Sequence, residues 1–394
     1  MKRSAAGLNT IVSRHLPQAS KAYAHRWFFP AAAIYAILAI PLAMLARNGY
    51  GPAALATPIG HAFEMLFGFA LALIAGYLLG PMPIRNLAWL MATWLLARVV
   101  DLLAPLGWLV LASNALFIIP FAWRLLPRLS VAKKWRNRAQ IPLLCLIFAS
   151  AIAVILAGRF NADLQRYLLD ESVLLFALLM LFMGGRILAP AVAGEFYRQG
   201  VNLEARVQPL IESGLIITVA IAFVLAPIAA AASGILLICS GLLAAIRLLR
   251  WQLWRCLARP DLVCLGVGYA WLALGLMLLG GVKLGANMHF STAVHAITIG
   301  ALGTLSLNVM VRVSLLYAKR YPSSIPQIIV MTALISIAAI TRIVADFSEG
   351  RELFLAIASL VWSSAFLLAL SILLGSPVRQ AANITEREGR EPRR

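Results

Sequence analysis

The sequences HAFEMLFGFALALIAGYLLG (residues 61–80) and HFSTAVHAITIGALGTLSLNVMVRVSLL (residues 289–316) decide how this chain folds. Each is an apolar run long enough to cross a bilayer as a helix, which takes about 20 residues. Each also carries a histidine followed by alanine near its start, His61 with Glu64 one helical turn later and His295 with Arg312 farther along. Ionisable groups are costly to bury in a spanning helix and mark a functional interior by default. We therefore interpret these segments as the functional helices and the rest as their scaffold.

The composition places the whole chain in the membrane. Of the 394 residues, 62% are hydrophobic and only 12% are charged, whereas soluble domains carry about 25% charged residues. A soluble globular protein is thereby excluded, and the sequence predicts an all-α, polytopic integral membrane protein in contact with the lipid bilayer. The net charge of +19 does not indicate nucleic-acid binding, because the basic residues lie between apolar runs and no basic domain with interleaved aromatic residues is present.

Apolar runs of spanning length predict about twelve transmembrane helices. The predicted spans are 27–46, 59–80, 86–104, 106–127, 141–158, 171–190, 209–231, 233–250, 262–281, 290–316, 325–347 and 351–375. Two pairs of spans are separated by very short turns, which we place near Pro105 and near Ser233. The membrane domain is thus 27–375, with a basic N-terminal tail at 1–26 and a charged tail at 376–394 that we expect to be disordered.

The distribution of lysine and arginine predicts the orientation of these helices. With the N-terminus in the cytoplasm, cytoplasmic segments collect 25 of the 34 basic residues, outer loops hold five, and four lie within spans. Basic residues are enriched in cytoplasmic loops. We therefore predict a multi-pass membrane protein with both termini in the cytoplasm, as an even number of helices requires.

This topology brings polar side chains from four helices to the outer side of the membrane. They are His61, Glu64, Arg98, Asp101, His289, His295, Arg342 and Asp346. One interpretation is a single shared site, and the alternative is a set of unrelated residues near the lipid interface. Small residues recur in the same two helices, where they would allow close helix packing or make room for a flat macrocycle; these are Gly68, Gly76, Gly300 and Gly303.

Two arginines can pair with carboxylates on their own helices. Arg98 and Asp101 are spaced i,i+3, and Arg342 and Asp346 are spaced i,i+4, both of which place side chains on one helix face. Such pairs would be structural. The alternative is that the arginines face acidic groups of a ligand, such as haem propionates or an anion.

The histidines within the spans are candidate cofactor ligands. Neutral imidazole is a common ligand of haem iron and of copper, although a single histidine in a helix can also be a hydrogen-bonding packing residue. We expect His61 and His295 to bind a cofactor, with Glu64, Arg98 and Arg342 as supporting or propionate-binding partners. His289 would share a metal with His295 only from the loop before the helix, while His25 is expected to be solvated in the tail with His15.

Several motifs resemble those of one known family. HAFEMLFGFALALIAGYLLG resembles the W-H-A-H-E-M-L-F-G-F signature of the NnrS family, and HAITIGALGTLSLNVMVRVSL resembles its H-A-L-T-x-G-A-x-G-x-M…M-T-R-x-S-L segment. MGGRILAP is similar to the family's G-G-R-x-x-P segment, and WFFPAA at 27–32 to its aromatic start. The resemblance implies a twelve-helix bacterial inner-membrane protein that contains haem and copper and takes part in the response to nitric oxide and nitrosative stress.

The resemblance assigns functional positions and also shows where this chain differs. Motif matches carry over to His61, Glu64, His295, Arg186 and Arg312. Two family histidines are replaced, one by Phe63 and one by Tyr317. We therefore expect haem and regard the full complement of haem and copper as doubtful.

Function beyond this resemblance stays open at the level of sequence. Haem could reduce, sense or hold nitric oxide, so catalysis is undecided. A secondary transporter would also have twelve helices and buried charges, with a binding site at helices broken by Pro41, Pro120 or Pro227. A cofactor-free structural partner of a respiratory complex is a third possibility.

Overall fold

A computed structural model describes residues 21–103, 107–131, 138–322 and 325–376 of the chain. Within these ranges, twelve helices are long and apolar enough to cross a membrane, which confirms the predicted fold class and helix number. Several predictions concern residues outside the described ranges, namely the two tails at 1–20 and 377–394, the turn at Pro105, and the basic loop residues Lys133, Lys134 and Arg136.

We number the membrane helices α1 to α12 in chain order. They are α1 His25–Arg47, α2 Pro58–Leu78, α3 Ile84–Leu103, α4 Gly107–Ser130, α5 Gln140–Ala157, α6 Ala162–Arg198, α7 Glu204–Leu225, α8 Ala230–Arg250, α9 Pro260–Lys283, α10 Phe290–Tyr317, α11 Gln327–Ala345 and α12 Arg351–Leu374. A short helix, Ala53–Ala56, precedes α2, and a 3-10 turn, Leu253–Cys256, lies between α8 and α9.

Two boundaries differ from the prediction for physical reasons. Helix α6 has 37 residues instead of the predicted 171–190, because Asn161 caps it early by accepting hydrogen bonds from the Asp163 and Leu164 amides. Hydropathy does not detect the charged ends of such a helix. The turn between α7 and α8 lies at 226–229, earlier than predicted, and Ser233 is inside α8, where its hydroxyl donates to the Ala222 carbonyl at 2.9 Å.

Four helices form the interior of the bundle. Between 61% and 67% of the most apolar part of α2, α6, α9 and α10 is buried within the protein, compared with 22% for α7. Around them, α1 packs on α2 and α12, α5 packs on α6, and α8 packs on α7 and α9. The two histidine-bearing helices, α2 and α10, are therefore both central.

A two-stranded antiparallel sheet fixes the start of α1. Strand β1, Lys21–Tyr23, pairs with β2, Pro81–Pro83, which follows α2. His25, which we expected to be solvated, is only 4% exposed and stacks on Tyr317 with ring centroids 4.4 Å apart. That expectation is wrong because the sheet and the aromatic contact hold this end of the predicted tail against the bundle.

The orientation of the helices can be tested by accessibility of single cysteines. Ala286, exposed between α9 and α10, is predicted to face outward, and Ala258, exposed between α8 and α9, to face the cytoplasm. In a variant lacking the native cysteines, Ala286→Cys should react with a membrane-impermeant maleimide in spheroplasts. Ala258→Cys should react only after the membrane is permeabilised. The opposite pattern would contradict the predicted orientation.

Candidate functional site

Both histidine-bearing helices contain a π-helical segment within three residues after the histidine. In α2 this segment is Glu64–Phe69, which begins three residues after His61. In α10 it is Ala296–Gly303, which begins immediately after His295. π-Helical turns are rare and occur frequently at functional sites. The π-helical segments therefore lie in the same parts of α2 and α10 as the two histidines.

The ring of His295 is held in one orientation by its own helix. Its Nδ1 donates to the Ser291 carbonyl at 2.6 Å, and a carbonyl can only accept, so Nδ1 carries the proton. The Nε2 atom then has the free lone pair of a neutral imidazole, the form that binds a metal. Arg342 fixes the same turn by donating from Nη2 to the Ser291 hydroxyl at 2.6 Å.

His61 lies in the first turns of α2 with an unsatisfied ring nitrogen. The helix starts at Pro58, and the preceding Thr57 caps it by accepting a hydrogen bond from the Gly60 amide at 3.0 Å. The Nδ1 atom of His61 is buried and has no hydrogen-bond partner among the described residues. Because buried polar groups are nearly always partnered, this orphaned nitrogen is a feature that a bound ligand would explain.

Electrostatic interactions link the two histidines to one another. The charge of Arg342 interacts with both imidazole rings, and the His61 ring interacts with the His295 ring. The structure thus brings His61, His295 and Arg342 together, from α2, α10 and α11. It leaves out His289, which is exposed directly before α10.

The charge of Arg342 is balanced by Asp346. Arg342 Nη1 lies 2.9 Å from Asp346 Oδ1, and the Thr292 hydroxyl donates to Asp346 Oδ2 at 2.6 Å. Burial opposes ionisation of Asp346, but the hydrogen bond from Thr292 and the charge of Arg342 outweigh it and lower its pKa. The carboxylate therefore stays charged. Arg342 Nη1 nevertheless lacks an aligned hydrogen bond, so one N–H remains for another acceptor.

A second cluster contains Glu64 and Arg98 and lies apart from the histidine pair. Arg98 Nη1 donates to Glu64 at 2.6 Å, and Arg98 Nη2 donates to Asn114 at 2.6 Å. Asp101 lies 3.1 Å from Arg98 and accepts from Asn114 at 3.0 Å. The Tyr35 hydroxyl donates to Glu64. These five residues, which we call the charge cluster, join α1, α2, α3 and α4.

In the folded protein, Glu64 and Arg98 pair with each other within the charge cluster. Both side chains are almost completely buried, at 2% and 3% exposed, and they bind each other. Arg98 has its donors directed at Glu64, Asp101 and Asn114, so it is not directed at the histidines. Sequence reasoning missed Asn114, which is a polar residue within an apolar span and could have been singled out on that ground. Tyr35 gave no such signal.

The remaining motif arginines lie nearer the other end of the helices. Arg312 forms an ion pair with Asp261, which also accepts a bidentate pair of bonds from Arg259, both at 2.9 Å. Arg186 donates to the Gln140 side-chain oxygen at 3.1 Å. Arg312 is therefore held by a carboxylate, whereas the partner of Arg186 is neutral.

The space beside the glycines of α2 and α10 is filled by protein side chains. A Cβ atom on Gly76 would lie 2.5 Å from the Phe29 ring, and one on Gly300 would lie 2.6 Å from the Trp271 ring. Gly68 faces the Glu64–Arg98 pair in the same way. These glycines serve close helix packing, and a macrocycle would not find room there.

The structure also contains a large apolar cavity between α2, α6, α9 and α10. Its volume is about 790 Å³, including the part open to the surroundings. It is lined by residues such as Leu73, Tyr77, Met180, Tyr269 and Ser306. Neither histidine lines it, and neither do the three prolines at which a transporter would have its broken helices.

No protein-only metal centre is preformed in the described part of the chain. There, no group of three or more His, Cys, Asp or Glu side chains is placed to hold a metal ion. Haem would need fewer protein ligands than a bare ion, because its macrocycle supplies most of the ligands to the iron.

Comparison with known proteins identifies one family. The family model described as NnrS protein matches residues 20–375, which covers all twelve membrane helices. A search of curated proteins found no match. The match extends over the histidine pair, the charge cluster and the cavity alike.

We expect the charge cluster to contribute more to the free energy of unfolding than an exposed ion pair does. Arg98→Leu leaves Glu64 and Asp101 buried without their cation, and removing one partner of a buried pair costs about 3–5 kcal/mol. Arg47→Leu is the matched control, because Arg47 pairs with Glu352 at 3.2 Å where the side chains are 39% and 64% exposed. That pair should contribute less than about 1 kcal/mol. Denaturation in detergent measures both, and equal losses would contradict this account.

Proposed function

This chain belongs to the NnrS family, and we propose that it takes part in the response to nitric oxide and binds haem through His61 and His295. Family membership supports the link to nitric oxide and haem, which we carry over to this chain as a proposal. The twelve apolar helices support a multi-pass membrane location, which we propose to be the bacterial inner membrane.

The observation that carries the haem proposal is the pair of histidines itself. His61 and His295 come from two central helices, interact electrostatically, and each precedes a π-helical segment by at most three residues. His61 has a buried ring nitrogen without a partner. His295 has its Nδ1 proton committed to a carbonyl. These two imidazoles are the donor set that would hold haem iron.

The neighbouring residues would prepare this site in defined ways. The Ser291 carbonyl fixes the ring of His295 and keeps a proton on Nδ1, as second-sphere acceptors do for metal-binding histidines. Arg342 keeps one N–H of Nη1 without an aligned acceptor, so it could bind an acidic group at the edge of the macrocycle. The haem would supply an iron that binds nitric oxide. The protein would supply orientation and a water-poor surrounding.

We propose haem without copper for this chain. The two positions where the family carries further histidines hold Phe63 and Tyr317. Phe63 packs on Phe67, with ring centroids 5.2 Å apart, and Tyr317 stacks on His25 at the far end of α10 from His295. Neither position contributes a nitrogen ligand to the histidine pair.

An optical spectrum of the purified protein tests the proposal. The wild type should show a haem Soret band that shifts when nitric oxide is added. His61→Ala and His295→Ala should each lower or abolish haem content. His289→Ala should keep it, because His289 is exposed and outside the pair. Unchanged haem content in both single variants would show that the histidine assignment is wrong.

A further inference from the structure

Arg186 differs from four other arginines of the membrane helices in having no carboxylate partner among the described residues. Each of these four contacts a carboxylate. The distance is 2.6 Å for Arg98 and 2.9 Å for both Arg247 and Arg342, and Arg312 pairs with Asp261. Arg186 is half-buried, and in the described ranges its only hydrogen-bond partner is the neutral Gln140. A partly desolvated cation is costly without an opposite charge.

The unpaired cation lies next to the apolar cavity. Met183, Gly184, Ile187 and Leu188, which flank Arg186 on α6, all line it. Gln140, which binds Arg186, also contacts the sulfur of Met183 at 4.0 Å. The only hydrogen-bonded neighbour of Arg186 is thus itself packed against the cavity wall.

Tyr77 connects the cavity with the arginines. Its ring lines the cavity, and its hydroxyl interacts electrostatically with Arg186 and Arg312. Among the described residues the Tyr77 hydroxyl has no hydrogen-bond partner, since Tyr77 is absent from every side-chain bond in these ranges. Tyr77 therefore brings an uncommitted phenol to a mainly apolar cavity wall, within electrostatic range of the Arg186 cation.

We propose that this cavity binds an amphipathic anion, with its apolar body among α2, α6, α9 and α10 and its acidic head at Arg186 and Tyr77. The space between these helices, about 790 Å³ including the part open to the surroundings, is lined mainly by apolar side chains, which suits the apolar body of an amphiphile. A guanidinium binds carboxylate and phosphate head groups through charge-assisted hydrogen bonds. The head group would supply the counter-charge that Arg186 lacks among the described residues.

The position of the head group fits a ligand that enters from one side of the membrane. Tyr77 is the penultimate residue of α2, and Arg312 lies five residues before the end of α10. The positive end of the cavity is therefore close to the ends of these helices, on the side predicted to be cytoplasmic. Basic pockets at this level of a membrane protein suit anionic lipid head groups.

This site is independent of the proposed haem ligands. No histidine lines the cavity, and the charge beside His61 and His295 is that of Arg342. The inference therefore does not rest on the nitric oxide proposal, and the two can fail separately.

Native mass spectrometry of the purified and extensively delipidated full chain tests the inference. The wild type should retain an anionic amphiphile, and Arg186→Gln should weaken its retention about tenfold or more, since a hydrogen bond to a charged group contributes about 1.5–3 kcal/mol. Arg250→Gln is the matched control, because Arg250 is an exposed arginine at the end of α8 and does not line the cavity. It should retain the ligand.

A second variant protects the test against misfolding of Arg186→Gln. Leu73→Trp keeps Arg186 and fills the cavity from α2, so it should also release the ligand. A phospholipid mass would identify a phosphate head, and a fatty-acid mass a carboxylate head; either supports the proposal if both variants lose it.

Two outcomes would decide against one proposal or the other. A porphyrin that is lost in Arg186→Gln but kept in both histidine variants would support this cavity and contradict the haem site at His61 and His295. Equal retention of every lipid by the wild type, Arg186→Gln and Leu73→Trp would show only boundary lipid and would overturn the inference.

Discussion

A charged side chain placed among apolar helices needs an opposite charge at contact distance, and this requirement determines how the helices of this chain meet. Arg98 on α3 joins Glu64 on α2, Arg247 on α8 joins Glu212 on α7, and Arg312 on α10 joins Asp261 on α9. An unpaired charge at such a position would cost several kcal/mol. Each pair therefore selects a neighbour for its helix, in a protein where apolar contacts alone select weakly because lipid is equally apolar.

The same requirement explains what the histidines are free to do. Glu64 follows His61 by one turn, yet its carboxylate is directed to Arg98 and Tyr35. Because the Glu64 carboxylate is committed to Arg98 and Tyr35, it does not bind His61, and the Nδ1 atom of His61 has no hydrogen-bond partner among the described residues. The charge cluster and the histidine pair thus use different polar side chains, although Glu64 and His61 lie on the same helix.

The sequence predicts the twelve helices because spanning length and hydropathy are properties of single segments. Interactions between segments are less accessible. Arg98 and Asp101 can be paired from their spacing, but nothing in the spacing predicts that Glu64 and Asn114 complete the same cluster. The π-helical segments have no signature in the local sequence, and the burial of His25 depends on Tyr317, nearly three hundred residues away. These features come from tertiary packing, which a window of sequence does not contain.

The haem proposal requires that His61 on α2 and His295 on α10 face one shared site. The most direct test is cross-linking of His61→Cys with His295→Cys, in a chain without native cysteines, by a short bifunctional thiol reagent. We predict an intramolecular link between residues 61 and 295, detected by mass spectrometry of the digested protein. The control pair, His61→Cys with His289→Cys, should give no link. A link to position 289 but not to position 295 would contradict the shared site.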